Sequence, residues 1–262
     1  MKRIFSLLFL LTISIAVLAA CGSSDEGKES ADQKKETIII GIDDKFAPMG
    51  FRDENNDIVG FDIDMARAAG EKMGVEVEFQ PIDWSTKETE LASGRIHLIW
   101  NGYTVTDERK QKVLFTKPYL ENAQVVATLA DSTIEKLDDL AGKEVGIQAL
   151  SSALDALNEH PISSEVKLNE YKDNVLALAD LKNGRTEAVV IDKVAVEYYM
   201  TQQPNTFKLL EEELAPEQYA VGVKKGNEEL LNKLQAALDE MNEDGTAAEI
   251  SEKWFGEDRV LK

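Results

Sequence analysis

"TIIIGIDDKFAPMGFRDENNDIVGFDIDMARAAGEKMGVEVEF" occupies residues 37–79. It opens with a short, β-branched apolar run, Thr37 to Ile42, the pattern of a buried strand. Residues 60–74 place Ile63, Ala66, Arg67 and Gly70 near helical spacing and stop at Gly74, a C-capping glycine. Residues 75–79 alternate like a half-buried strand. A strand, a helix and a strand in that order predict an α/β chain with mainly parallel sheets.

Outward from this unit the alternation continues. The spacing predicts a helix over 87–94 closed by Gly94, a strand over 96–100, a helix start at Thr106 and a strand over 124–130. The second half repeats the theme: helix 134–142, strand 143–147, helices 151–160 and 175–184, and strands 187–191 and 218–223. Residues 227–245 carry Leu230, Leu231, Leu234, Ala237, Leu238 and Met241 on one helical face, and a further helix over 246–256 closes the chain. Trp254 and Phe255 in it read as core residues. Two similar-sized α/β units predict two lobes, and a crevice between lobes is a common ligand site.

The first twenty residues are of another kind. Met1, Lys2 and Arg3 form a basic head, followed by the uncharged run "IFSLLFLLTISIAVLAA" that ends at Cys21. A transmembrane anchor would want about 20 apolar residues; this run is shorter and ends in small residues, the form of an exported, cleaved signal. "LAAC", residues 18–21, is similar to the bacterial lipoprotein signal, which implies lipidation of Cys21 as the new N-terminus. Cys21 is the only cysteine, so no intrachain disulfide can form. Gly22 to Glu36 is polar and reads as a flexible tether. A lipid there would hold the folded body near a membrane without spanning it.

Composition is that of a globular protein, 43% apolar and 30% charged, with 29 basic and 49 acidic residues and a net charge of −20. Such an acidic chain without a Lys/Arg cluster would be repelled by a phosphate backbone, which argues against a nucleic-acid partner. No His/Cys cluster has metal-ligand spacing, and nothing calls for a cofactor.

Ligands of open α/β sheets bind beyond the carboxyl ends of strands. Asp43, Asp44 and Phe46 follow Ile42; Gly102 and Thr104 follow Trp100; Gln148, Ser151 and Ser152 follow Ile147; Asp192 follows Ile191. Each alone also reads as a turn or N-cap residue. Arg109 stands apart. A helix N-terminus carries partial positive charge, so a cation does not belong there. Either Arg109 makes a surface salt bridge with Asp107 or Glu108, or it faces an anion, for which free N–H groups and a guanidinium fork suit a carboxylate.

The strand, Asp, aromatic and Ala-Pro pair of residues 41–48, with "VGFDIDMARA" (59–68), resemble the opening of the periplasmic or lipid-anchored amino-acid-binding proteins of ABC importers, the polar amino acid family. "NGYTVTDERKQKVLFTKPYL" (101–120), "GRTEAVVID" (184–192) and "NEDGTAAEISEKWFG" (242–256) resemble that family's later signatures, in order. The resemblance implies a two-lobed type II periplasmic-binding-protein clamshell. Residues 1–20 would be the signal and 21–36 the tether. Residues 37–122 with 220–262 would form lobe 1, and 123–219 lobe 2, with crossings near 119–123 and 218–221.

It also implies roles. Arg109 would clamp an α-carboxylate, assisted by backbone N–H groups near Thr104 and Ser152. Asp192, the Gly102 carbonyl and the Thr104 hydroxyl would hold an α-ammonium. Phe46 and Trp84 would sandwich the side chain, and Asp43 would meet its polar tip; Gln148 and Ser151 complete the candidate set. The partners implied are ABC permease and ATPase subunits, with the protein a lipid-anchored monomer on the outer face of a Gram-positive cell membrane. Asp43, with Asp44 adding negative charge, suits a neutral or cationic polar side chain; glutamine, arginine, lysine, histidine and cystine all remain open.

Three positions depart from the family pattern: Leu150 where glycine is common, which would keep the backbone further from a ligand, Ile191 where some relatives are polar, and Trp100-Asn101 where small residues are common. The competing classes are an enzyme on the same fold, such as a dehydratase, and a sensor ectodomain. Acid–base catalysis would need a poised carboxylate or histidine; His97, interrupting a strand, and His160, at a helix end, read as structural.

Overall fold

The computed structural model describes residues 35–262. The signal segment, Cys21 and nearly all of the tether lie outside the described residues. Along the chain run β1 (Thr37–Ile42), β2 (Lys45–Phe46), β3 (Gly50–Arg52), β4 (Ile58–Val59), α1 (Phe61–Met73), β5 (Glu76–Pro81), α2 (Lys87–Ser93), β6 (Leu98–Ile99), α3 (Asp107–Lys112), β7 (Val113–Phe115) and β8 (Leu120–Leu129). There follow β9 (Glu144–Gln148), α4 (Ser152–Glu159), β10 (Lys167–Tyr171), α5 (Asn174–Lys182), β11 (Ala188–Asp192), α6 (Lys193–Gln202), β12 (Phe207–Leu209), β13 (Ala215–Tyr219), β14 (Gly222–Lys224), α7 (Glu228–Asp244) and α8 (Thr246–Phe255).

Two sheets make two lobes. The first has the order β5-β1-β6-β14-β7, and the second β10-β9-β11-β8-β12 with β13 also on β8. Each is parallel in one half (β5-β1-β6; β10-β9-β11) and antiparallel where β7, β8, β13 and β14 carry the chain between lobes, so the sheets are mixed rather than mainly parallel. A small antiparallel sheet, β2-β3-β4, projects Phe46 from the first lobe.

α1 forms as its sequence requires. Ile63, Ala66 and Gly70 face the core, and Gly74 takes the left-handed C-cap at φ 71°. Arg67, placed on the same stripe from spacing, is exposed instead and lies over the Phe79 ring at 5.5 Å. α7 buries Leu234, Ala237, Leu238 and Met241. Trp254 and Phe255 pack on the core edge, Trp254 against Phe51 and Phe255 against Phe61.

Two expectations are corrected, and two elements, β10 and α6, carry no clear local signal. Residues 134–142 give only a 3-10 turn, Leu137–Leu140, since two apolar residues three apart need no full helix. The strand expected over 218–223 is two strands: β13 ends at Tyr219 in the second sheet and β14 starts at Gly222 in the first. β10 is an edge strand with an exposed, polar face and lacks a clean alternation. α6, "KVAVEYYMTQ", is rich in β-branched and aromatic residues and is held helical by tertiary packing of Val194, Ala195 and Val196.

Candidate functional site

The carboxyl ends of β1, β6, β9 and β11 meet at one cleft between the lobes. Thr104 and Ser152, from opposite lobes, have their hydroxyls 3.0 Å apart. Gln148 Nε2 donates to Asp43 Oδ2 at 2.8 Å, again across the cleft. Lys87 Nζ donates to the Trp84 carbonyl of its own lobe at 3.2 Å and to the Leu150 carbonyl of the other at 2.9 Å. The lobes are closed on each other.

Arg109 is 5% exposed. Thr106 caps α3, its hydroxyl accepting from Arg109 N, so the arginine occupies the first turn as the sequence indicated. Its side chain makes no surface salt bridge of the kind weighed above. Asp107 pairs with Lys110 and Glu108 with Lys112. The guanidinium instead lies over the Tyr103 ring at 4.7 Å and donates to the Thr104 carbonyl at 3.0 Å. Its nearest carboxylate is Glu88, at 3.9 Å. Beside it lies a cavity of ≈ 610 Å³ lined in part by Lys87, Leu150 and Asp155. A buried guanidinium with donors to spare is suited to an anion.

Asp192 ends β11 and is 6% exposed. Its Oδ1 accepts from Asn122 Nδ2 at 2.8 Å, Gln124 Nε2 at 2.9 Å and Tyr219 OH at 2.6 Å. Burial, helped by the charge of nearby Glu217, pushes its carboxyl up to about 7. Asn122 and Gln124 are the readable signal here: two polar residues at i and i+2 in a strand otherwise buried, facing one way.

Gly102 takes φ +57°, and a Cβ there would meet Phe46 Cε1 at 2.5 Å, so only glycine fits. Its N–H donates to Asp62 Oδ2 at 2.7 Å. Asp62, fully buried at the start of α1, is raised by that burial to about 7. The sequence hid Asp62, because an acid in a helix's first turn is ordinary. Lys87 was not hidden. It is a cation at the first position of α2, the same anomaly as Arg109, and it is 2% exposed. Burial, and Arg109 nearby, bring its ammonium down to about 8.

At the cleft's other end sits Asp43, 9% exposed and raised by burial to about 6. Asn101 Oδ1 accepts from Asp43 N at 2.6 Å, which gives that departure from the family pattern a structural role. Asn174 Nδ2 donates to Gln148 Oε1 at 3.2 Å. Phe46 abuts Gly102, and Trp84 stands edge-on to Tyr103 at 6.0 Å, each buried. Asp44 is not part of this end: it pairs with Arg52 and Lys45, so it adds no free charge. Ser151 is spent locally, donating to the Gln148 carbonyl and capping α4. Leu150 adopts φ 52°, a glycine-like backbone, and is 57% exposed. Ile191 is buried in β11 and packs in the core.

His97 Nδ1 accepts from Ile39 N and His160 Nδ1 from Ile162 N, each capping backbone. Among the described residues no helix is long and apolar enough to cross a membrane.

Residues 38–257 match the model of the bacterial extracellular solute-binding proteins, family 3. The chain belongs to that family. It is 30% identical over 246 residues to the L-cystine-binding protein TcyJ of Escherichia coli (strain K12), covering 93% of this chain and 92% of that one. It is 32% identical over 259 residues to the arginine-binding extracellular protein ArtP of Bacillus subtilis (strain 168), covering 97% and 98%. A substrate-binding protein of an ABC uptake transporter from Streptococcus pneumoniae, solved with bound histidine, superposes with a TM-score of 0.84 at 42% identity, covering 86% of this chain and 95% of that one. With these neighbours the two-lobed fold is that of the type II periplasmic binding proteins.

Proposed function

We propose that this family 3 protein captures a polar L-amino acid, neutral or cationic in its side chain, or cystine, and delivers it to the permease and ATPase subunits of an ABC importer. One observation carries the reading: Arg109 is buried at a helix start while the acids beside it are paired elsewhere. Its free donors fit an α-carboxylate, with Thr104 and the N–H groups opening α4 at Ser152 to assist. Asp192, the Gly102 carbonyl and the Thr104 hydroxyl hold the α-ammonium. Phe46 and Trp84 flank the side chain and Asp43 meets its tip, with Gln148 fixing Asp43. Ser151 serves by ordering the loop. The binding proteins for cystine, arginine and histidine named above support this range of side chains.

The lobes would be residues 37–122 with 220–262, and 123–219. Closure joins them by hinge motion, with Lys87 as a latch on the Leu150 carbonyl. A permease that binds the closed form better draws the equilibrium to it. The protein would act as a monomer, without catalysis, tethered through lipidated Cys21 to the outer face of a Gram-positive cell membrane.

The test is a melting-temperature series on refolded residues 22–262 against the twenty amino acids, cystine and ornithine. A ligand at a hundred times its Kd adds about 2.7 kcal/mol. A large shift from one or a few polar amino acids is expected; no shift from any would overturn the reading.

A further inference from the structure

Four side-chain donors converge on one oxygen of Glu217. Its Oε2 lies 3.1 Å from the Thr104 hydroxyl, 3.2 Å from Asn122 Nδ2, 2.9 Å from Gln124 Nε2 and 3.4 Å from the Ser152 hydroxyl. Thr104 belongs to one lobe, Ser152 to the other, and Glu217 to β13, which leads the chain back between them. The same two amides, Asn122 and Gln124, also donate to Asp192. A primary amide has two N–H groups and can serve two acceptors at once. The amides therefore hold two carboxylates side by side.

Such a pair, when both members are ionised, repels itself unless a cation lies between them. The cations lining the adjoining ≈ 790 Å³ cavity are engaged elsewhere: Lys110 with Asp107, Lys193 with Glu213, and Arg259 with Glu197 and Glu257. Glu217 does not mimic a bound carboxylate either, because Arg109 has Glu88 and not Glu217 as its nearest acid.

We propose that Glu217 is a second carboxylate for the ligand's α-ammonium, which Asp192 and Glu217 grip together. This rests on the amino-acid reading above and deepens it. An ammonium has three N–H groups; Asp192, Glu217 and the Thr104 or Gly102 oxygen supply three acceptors. The consequence is selection for a primary, charged amine. A hydroxy acid or N-acylated amino acid would leave two carboxylates facing each other.

The test is calorimetric titration of wild type, Glu217→Gln, Asp192→Asn and Arg109→Ala with L-arginine, L-histidine, L-glutamine and L-cystine, from pH 5.5 to 8.5. Glutamine keeps an acceptor for the four donors, so Glu217→Gln is expected to melt, without ligand, close to wild type. Its affinity is expected to fall about tenfold at pH 8. Its loss of affinity on acidification is expected to begin at lower pH than in wild type, since one of the charges that raises Asp192 is gone. The other titratable groups here are Tyr219, held neutral by burial, Lys110, Glu121, Lys193, Glu197, Glu213 and Arg259 around one solvent mouth, and Asp107, Glu108, Asp155 and Glu159 around the other, all kept in the variant. Binding as tight as wild type or tighter, with an unshifted pH profile, would overturn the proposal. If Asp192→Asn and Arg109→Ala abolish binding while Glu217→Gln does not weaken it, only this inference fails. If no amino acid binds wild type, the broader reading fails.

Discussion

The two ends of the cleft are built differently. At one, Thr104, Asn122, Gln124, Ser152, Asp192, Glu217 and Tyr219 share a single hydrogen-bond network drawn from both lobes, with Arg109 anchored to the Thr104 carbonyl. At the other, the crossings are few and separate: Gln148 to Asp43, steadied by Asn174, Lys172 to Asp83, and Lys87 to the Leu150 carbonyl. The dense end is crowded with groups that fit an α-ammonium and an α-carboxylate, which every amino acid has. The sparse end, on the proposed reading, would meet the part that varies. A site wired this way fixes the class of ligand rigidly and leaves its identity to a few residues.

Removing Arg109 should disable the dense end most severely. Truncating one partner of a buried charge pair costs about 2–5 kcal/mol. Arg109→Ala is therefore expected to lower affinity well over tenfold for every ligand alike, as read by titration calorimetry. A loss confined to one side-chain type would mean the dense end is not generic.

Acidification should have the next largest effect. Burial raises Asp62 and Asp192 to about 7 and Asp43 to about 6, from an ordinary 3.8. Each carboxyl thus takes a proton more readily in the folded chain than in the unfolded one. Their stabilising contribution is complete below the unfolded value and is lost as pH rises through 6 to 7. The melting temperature without ligand is expected to rise between pH 8 and pH 5.5. Affinity should run the other way, because an α-ammonium needs Asp192 ionised. Two trends in the same direction would remove Asp192 from the ammonium site.

Asp43→Asn probes the sparse end and should have the smallest effect. A hydrogen bond to a charged group contributes about 1.5–3 kcal/mol. The variant is expected to lose that much for arginine or histidine and less for glutamine, in the same calorimetric series.

The sequence made the fold readable wherever a local signal agreed with the packing. Gly74 and Gly94 closed helices as read, and the α7 stripe is buried. It misled where one apolar run serves two sheets, as at Tyr219 and Gly222, and was silent on α6, where tertiary contacts override local preference. Charge out of place was the best guide to the cleft. Arg109 stands out for that reason, and Lys87 carries the same signal. Glu217 could not be read: an exposed-looking acid beside Pro216 gains its neighbours only when strand β13 brings it against Asn122 and Gln124.

On the proposed reading, the dense end grips both charges of a free amino acid. The direct measurement is calorimetric titration of the tightest-binding amino acid beside its α-carboxamide and its N-acetyl derivative. Both derivatives keep the side chain and each removes one charge. The expected result is that each binds at least a hundredfold more weakly, about 2.7 kcal/mol. Derivatives that bind as well as the free amino acid would contradict the claim, for the side chain alone would then account for recognition.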